Sequence, residues 1–193
     1  MAGIFFAVVG ASGVGKDAIL TAARPRLETT GNYFFPTRFI TRPADAGSED
    51  HNSISSADFV QAVREDRFSL WWMAHEMHYA LPDTVFEKLR FDQHVIANIS
   101  RRSVNETIQK FNRVEVLEIV ASLETINKRL LARGRESEAE IIVRQLREIE
   151  PEWAKGVRVT TISNDGSLSE ATDEFIAAVL KHSDQTAQEV QTA

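Results

Sequence analysis

Residues Ile4 to Val9 form an unbroken apolar run rich in β-formers, and Gly10-Ala-Ser-Gly-Val-Gly-Lys16 follows it with no spacer. A short apolar run bounded by glycine reads as a strand buried on both faces, as in a parallel sheet covered by helices. The next seven residues fit G-x-x-x-x-G-K. The backbone N–H groups of such a loop wrap a polyphosphate while its lysine reaches the β and γ oxygens. A helix is predicted from Lys16 to Leu27, so the anion would rest on a helix N-terminus.

The rest of the chain repeats this alternation. Strands are predicted at His94–Ile99, Val114–Ala121 and Val157–Ser163. Helices are predicted at Pro82–Leu89, Arg102–Phe111, Ser122–Ala132, Glu138–Glu150 and Glu170–Lys181. Ser122 is read as a cap, Gly134 as a breaker and Pro151 as a stop. Strand and helix in this order imply right-handed crossovers and an α/β fold, a parallel sheet flanked by helices. Residues 32–81 break the rhythm. Asn32–Ile40 looks extended, Ser55–Asp66 helical with Ser55 and Asp58 as a capping pair, and Phe68–Met73 and His78–Leu81 look like short strands. We read one domain over 1–181 with an insertion at 32–81, an arginine-rich flap at 133–147, and a frayed polar tail at 182–193.

Composition narrows the chemistry. The 193 residues contain no cysteine, which removes disulfides, thiolate zinc sites, iron–sulfur clusters and a cysteine nucleophile. The run at Ile4–Val9 lacks a basic flank and is too short to span a bilayer, so a soluble, cytoplasmic protein is expected. A net charge of −6 argues against nucleic-acid or membrane partners, and any anion must be met locally. The means are present. Arginines pair up at Arg38/Arg42, Arg101/Arg102, Arg133/Arg135 and Arg144/Arg147, and their planar forks suit bidentate phosphate binding.

Beyond the phosphate loop, Thr41-Arg42-Pro43, Gly47-Ser-Glu-Asp-His51, and Arg129-Leu-Leu-Ala-Arg-Gly-Arg135 with Arg144 occur in order. In that order and spacing the chain resembles the guanylate kinase-like P-loop kinases up to about residue 181. The resemblance implies a P-loop NTPase fold with an inserted acceptor-binding subdomain and an arginine-rich lid. It also implies ATP and Mg²⁺. Phosphoryl transfer needs positioning and neutralisation of spread negative charge, which a P-loop lysine, Mg²⁺ and converging arginines supply. Position 17 departs from the loop's usual form, with Asp where a hydroxyl normally touches Mg²⁺.

The acceptor region departs further. Within Phe68-Ser-Leu-Trp-Trp-Met-Ala-His-Glu-Met-His-Tyr-Ala-Leu-Pro82, Leu70 falls where guanylate kinases carry a guanine-reading carboxylate, and Ala80-Leu81 replaces a glycine and a hydroxyl. Buried against leucine, the guanine N–H donors would go unpaired at about 1–3 kcal/mol each. His51 replaces a tyrosine, and Asn98 and Ser100 replace an acidic pair, with Arg101 and Arg102 following. Cationic and neutral groups have displaced carboxylates at the carboxyl end of a parallel strand, where such sheets bind ligands.

These departures resemble a narrower family, the ribose 1,5-bisphosphate phosphokinases of phosphonate breakdown. The motifs that match are the loop ending at Asp17, Phe35-Pro-x-Arg-x-Ile-Thr-Arg-Pro43, Ala-His75 with Tyr79 and Pro82, and Arg-Gly-Arg-Glu136. Glu76 and Ala80 stand where that pattern has glycines. The resemblance implies transfer of the ATP γ-phosphoryl group to the 1-phosphate of ribose 1,5-bisphosphate. On that basis Gly10, Ala11, Ser12, Gly13, Val14, Gly15 and Lys16 hold the ATP phosphates and Asp17 holds Mg²⁺. Arg133, Arg135 and Arg144 meet the transferring group. Arg38, Arg42 and His51 meet one acceptor phosphate, and Asn98 and Arg101 with His75 or Tyr79 meet the sugar or its other phosphate. An acceptor phosphate attacks already ionised, so no general base is assigned. Two other readings remain: a guanylate or other nucleoside monophosphate kinase, and a guanylate kinase-like interaction module without catalysis.

Overall fold

A computed structural model describes residues 3–43, 50–74, 76–133, 153–154 and 157–191, with the side chains of 133 and 184–191 excluded. Two sheets share one polypeptide. The larger contains β1 (Phe5–Val9), β2 (Tyr33–Phe34), β7 (His94–Asn98), β8 (Val114–Val120) and β9 (Val159–Ser163), ordered β2-β7-β1-β8-β9 with every pairing parallel. The smaller contains β3 (Phe39–Ile40), β4 (Asn52–Ser53), β5 (Phe68–Ala74) and β6 (Met77–Pro82), ordered β4-β3-β6-β5. Helices α1 (Lys16–Glu28), α2 (Ser56–Arg64), α3 (Thr84–Arg90), α4 (Val104–Lys110), α5 (Leu123–Arg133) and α6 (Leu168–Gln191) connect and cover them. Among the described residues no helix is long and apolar enough to cross a membrane.

The two-residue period of β1 organises two cores. Phe6 and Val8, with Ile4 before the strand, face α1, α5 and α6 through Ile19, Ala23, Ile126, Leu130 and Phe175. Phe5, Ala7 and Val9 face the other way, toward Val85, Leu89, Val104 and Phe111 and toward Leu70, Trp72 and Leu81 of the smaller sheet. With neither face in water, β1 reads as a continuous apolar run, and its carboxyl end must leave the sheet through the glycine-rich loop.

Within the smaller sheet the pairings Trp72↔Tyr79, Leu70↔Leu81 and Ile40↔Tyr79 set the faces. Alternation puts Arg38, Ile40, Tyr79, Leu81, Leu70 and Trp72 toward the parallel sheet. It turns Phe39 and Ala80 toward α2, where they pack with Phe59 and Ala62. A register shift between Phe68 and Leu70 carries Phe68 to the α2 side. The cap at Ser55 is formed, its Oγ accepting from the Asp58 N–H at 3.1 Å and donating to Oδ2 at 2.6 Å.

Two expectations are corrected. Tyr33–Phe34, expected within the insertion, pairs with β7 in the parallel sheet. The frayed tail from 182 is instead helix through Gln191. Polar contacts anchor its start: the Tyr33 hydroxyl donates to Ser183 Oγ at 2.9 Å, and His182 lies 3.0 Å from Thr160 Oγ1 and 3.6 Å from the buried Glu115 carboxylate. Such anchors have no local period, so polarity alone read as disorder. The helix expected at Glu138–Glu150 and most of the flap at 133–147 lie outside the described residues.

His94, the first residue of β7, is tied to the residue before β1, since the Ile4 N–H donates to its Nδ1 at 3.0 Å. That bond needs neutral imidazole. Burial first, and then Arg113, hold the His94 pKa below its ordinary value of 6.5. The folded state therefore binds this proton less readily than the unfolded chain, and the stability it contributes is complete above 6.5 and is lost as pH falls through the lowered pKa. Urea melts should show unfolding free energy declining on the acid side of 6.5, above the carboxylate range. His94→Gln should flatten that decline, and an unchanged profile would show that His94 does not set it.

Candidate functional site

The glycine-rich loop leaves the carboxyl end of β1 and enters α1 at Gly15, whose φ of +95° is left-handed. A Cβ at Gly15 would also lie 2.4 Å from Asn164 Nδ2, so two independent constraints demand glycine. Asn164 follows β9 and is buried. Its Nδ2 donates to the Val14 carbonyl at 2.6 Å. Arg129 on α5 donates to the same carbonyl at 3.2 Å and to the Asn164 carbonyl at 2.9 Å. One loop carbonyl is thus clamped from two elements distant in sequence. Lys16 Nζ donates to the carbonyls of Gly10 at 2.7 Å and Ala11 at 2.9 Å, which keeps the ammonium at the mouth of the loop.

Beside the loop, Asp17 on the first turn of α1 meets Asn98 at the end of β7. Asn98 Nδ2 donates to Asp17 Oδ1 at 2.7 Å. Arg38 closes the group, with one guanidinium nitrogen donating to the Asn98 carbonyl at 3.0 Å and another 3.6 Å from Asp17 Oδ1. The Arg38 guanidinium lies 5.8 Å from the Tyr79 ring centroid, and Tyr79 stacks on Trp72 at 5.6 Å with planes 7° apart. Trp71, next in sequence, turns to the α2 side beside Phe59, as does His78. Leu70 and Leu81 are fully buried in the same cluster as Trp72.

Arg42 follows β3. Its Nε and Nη2 are buried and have no hydrogen-bond partner among the described residues. Those two nitrogens form one edge of the guanidinium fork, with parallel N–H bonds matched to two oxygens of a phosphate or carboxylate. Burying a cationic edge without a partner is costly, and an anionic ligand relieves the cost. His51 lies behind it, its Nε2 3.3 Å from the Arg42 carbonyl, and the Ser53 hydroxyl donates to that carbonyl as well. His51 therefore braces the Arg42 backbone.

Arg101 opens a 3₁₀ turn (Arg101–Ser103) separated from the end of β7 by Ile99 and Ser100, its carbonyl accepting from Trp153 Nε1 at 3.3 Å. Arg133 ends α5, with its side chain outside the described residues, and His75, Arg135 and Arg144 lie outside them entirely. The residues brought together are thus Gly10 to Asp17, Arg38, Tyr79 and Asn98. Arg129 and Asn164 were assigned no role in the sequence. Arg129 lay inside a quoted motif, and the only signal for Asn164 was its place just past a parallel strand.

Among the described residues no three His, Cys, Asp or Glu side chains converge as a metal cage. A half-exposed Asp17 beside a phosphate loop nevertheless fits Mg²⁺, which keeps several waters and takes one or two carboxylates plus substrate phosphates.

No family model matches the chain. Among curated proteins it is 41% identical over 174 residues to ribose 1,5-bisphosphate phosphokinase PhnN of Brucella melitensis biotype 2 (strain ATCC 23457), covering 90% of each chain. It is 38% identical over 179 residues to the protein of that name from Pseudofrankia inefficax, covering 92% of this chain and 91% of that one. The chain belongs to the ribose 1,5-bisphosphate phosphokinase family. Among solved structures, guanylate kinase from Anaplasma phagocytophilum superposes with a TM-score of 0.67 at 13% identity, over 94% of this chain and 86% of that one. That likeness places this family member on the same P-loop kinase fold.

The clamp on Val14 is testable. Asn164→Ala removes one buried hydrogen bond and should lower unfolding free energy by about 1–2 kcal/mol in urea melts. It should also weaken ATP binding in nucleotide titrations, because the loop loses one of its two anchors. Undiminished ATP affinity would show that Arg129 alone holds the loop.

Proposed function

We propose that this protein transfers the γ-phosphoryl group of ATP to the 1-phosphate of ribose 1,5-bisphosphate, forming 5-phosphoribosyl 1-diphosphate and ADP. The observation that carries this reading is the buried fork of Arg42, unpartnered among the described residues; Leu70, at the position where the guanylate kinase resemblance has a base-reading carboxylate, is fully buried. Such a site suits a ligand recognised by its phosphates and lacks the carboxylate that a guanine edge meets in guanylate kinases. Family membership and the intact loop with Lys16 favour an enzyme over a silent interaction module.

In this reading the backbone of Gly10–Lys16 cradles the donor phosphates at the N-terminus of α1, and Lys16 leaves the Gly10 and Ala11 carbonyls for the β and γ oxygens. Asp17 would hold Mg²⁺, which supplies neutralisation of charge shared by the β and γ phosphates. Arg42 grips one acceptor phosphate with its Nε–Nη2 edge, and Arg38 stands beside it over Tyr79. Arg101 and His75 are assigned to the sugar or its second phosphate. An oxygen of the acceptor 1-phosphate attacks the γ-phosphorus as the bond to the β-phosphate oxygen breaks, and ADP leaves with that electron pair. The acceptor oxygen is already ionised, so the step needs no base. Arg133, Arg135 and Arg144 are assigned to the charge that spreads over the transferring group. ATP and a sugar bisphosphate are soluble cytoplasmic metabolites, which supports that location.

A coupled ADP-release assay separates this reading from its rival. Ribose 1,5-bisphosphate should support turnover and GMP should not, whereas robust GMP turnover with a silent sugar would reverse the assignment. Arg42→Gln should raise KM for the sugar at least about tenfold with a smaller change in kcat, the mark of ground-state phosphate binding. Arg135→Ala should instead lower kcat by on the order of 10²-fold, and a change confined to KM would remove it from the transferring group.

A further inference from the structure

Asp17, on the first turn of the helix that follows the glycine-rich loop, and Arg38, just before β3 of the smaller sheet, face each other at 3.6 Å. The Arg38 side chain is 13% exposed and that of Asp17 54%. Arg38 does not depend on Asp17 for its position. Its guanidinium is held by the Asn98 carbonyl at 3.0 Å and lies over Tyr79, and Tyr79 is backed by Trp72. Asp17 therefore supplies Arg38 mainly with charge compensation. A carboxylate in this place has a second effect, because it repels any anionic acceptor that approaches Arg38. A hydroxyl at position 17 would do neither.

We propose that Asp17 couples the two substrate sites electrostatically. It masks the Arg38 charge in the free protein, so the sugar bisphosphate binds weakly there. It unmasks that charge when a divalent cation arriving with the nucleotide binds the carboxylate and offsets its negative charge. The cation need not displace Asn98, which donates to Oδ1 only, and the other carboxylate oxygen remains able to take a ligand. The order of binding follows: nucleotide and cation first, acceptor second. Linkage makes the effect reciprocal, so the sugar must raise affinity for the cation–nucleotide complex by the same factor. This coupling rests on the acceptor assignment proposed above.

Isothermal titration with ribose 1,5-bisphosphate tests it without turnover. Wild-type protein and Asp17→Asn are each titrated in EDTA without nucleotide, and again with Mg²⁺ and a non-transferable ATP analogue. The substituted amide keeps an oxygen for Asn98 and loses only the charge. Without nucleotide, Asp17→Asn should bind the sugar on the order of tenfold more tightly than wild type. Adding Mg²⁺ and the analogue should tighten wild type by a similar factor and leave the variant nearly unchanged. In an Arg38→Gln background the gain from Asp17→Asn should shrink, the lost part being the share that acts through Arg38, whereas a general change in surface charge would give the same gain in both backgrounds. The coupling is overturned if Asp17→Asn binds the sugar no better than wild type without nucleotide, or if both proteins gain equally from the analogue. If neither protein binds the sugar under any condition while both bind GMP, the acceptor assignment falls and takes the coupling with it.

Discussion

Asp17, Asn98 and Arg38 meet where the parallel sheet abuts the smaller one, and that junction sets the distance between the donor loop and the acceptor face. Each of the three touches the other two. Their meeting depends on β1 and β7 lying side by side in parallel, which brings the start of α1 and the end of β7 to one edge of the sheet. Burial of β1 on both faces enforces this arrangement, since neither of its faces can be left in water. The chemistry thus begins with packing: a doubly covered strand dictates where its glycine-rich exit must lie.

The acceptor side follows from alternation on short strands. Three pairings turn Arg38, Tyr79, Leu70 and Trp72 to one face, and the irregularity after Phe68 keeps that face free of a further aromatic ring. Leu70, where the guanylate kinase resemblance has a carboxylate, is fully buried in one cluster with Trp72, which stacks on Tyr79. Arg42, its buried fork unpartnered among the described residues, supplies the opposite character just past β3 of the same sheet. Hydrocarbon for the base and a cation for the phosphate together describe a site that has kept phosphoryl transfer and changed its acceptor.

Much of this was legible in the sequence because it is encoded locally. The run into Gly10–Lys16 and the Ser55 cap both follow from a period or a short spacing. Two features did not. Asn164 reaches Val14 across 150 residues of sequence, and Tyr33 reaches Ser183 across the same separation. Bonds of that range leave no periodic trace, so the loop's anchor went unread and the last helix was cut short. Asp17 shows a different limit. Its residue type announced a charge near the phosphates, and only the geometry revealed that Arg38 and Asn98 already share it.

The most direct test of the account is a calorimetric comparison of two acceptors on protein loaded with Mg²⁺ and a non-transferable ATP analogue. The account predicts saturable uptake of ribose 1,5-bisphosphate at one site per chain and no measurable uptake of GMP at the same concentrations. Tight binding of GMP with none of the sugar would contradict it.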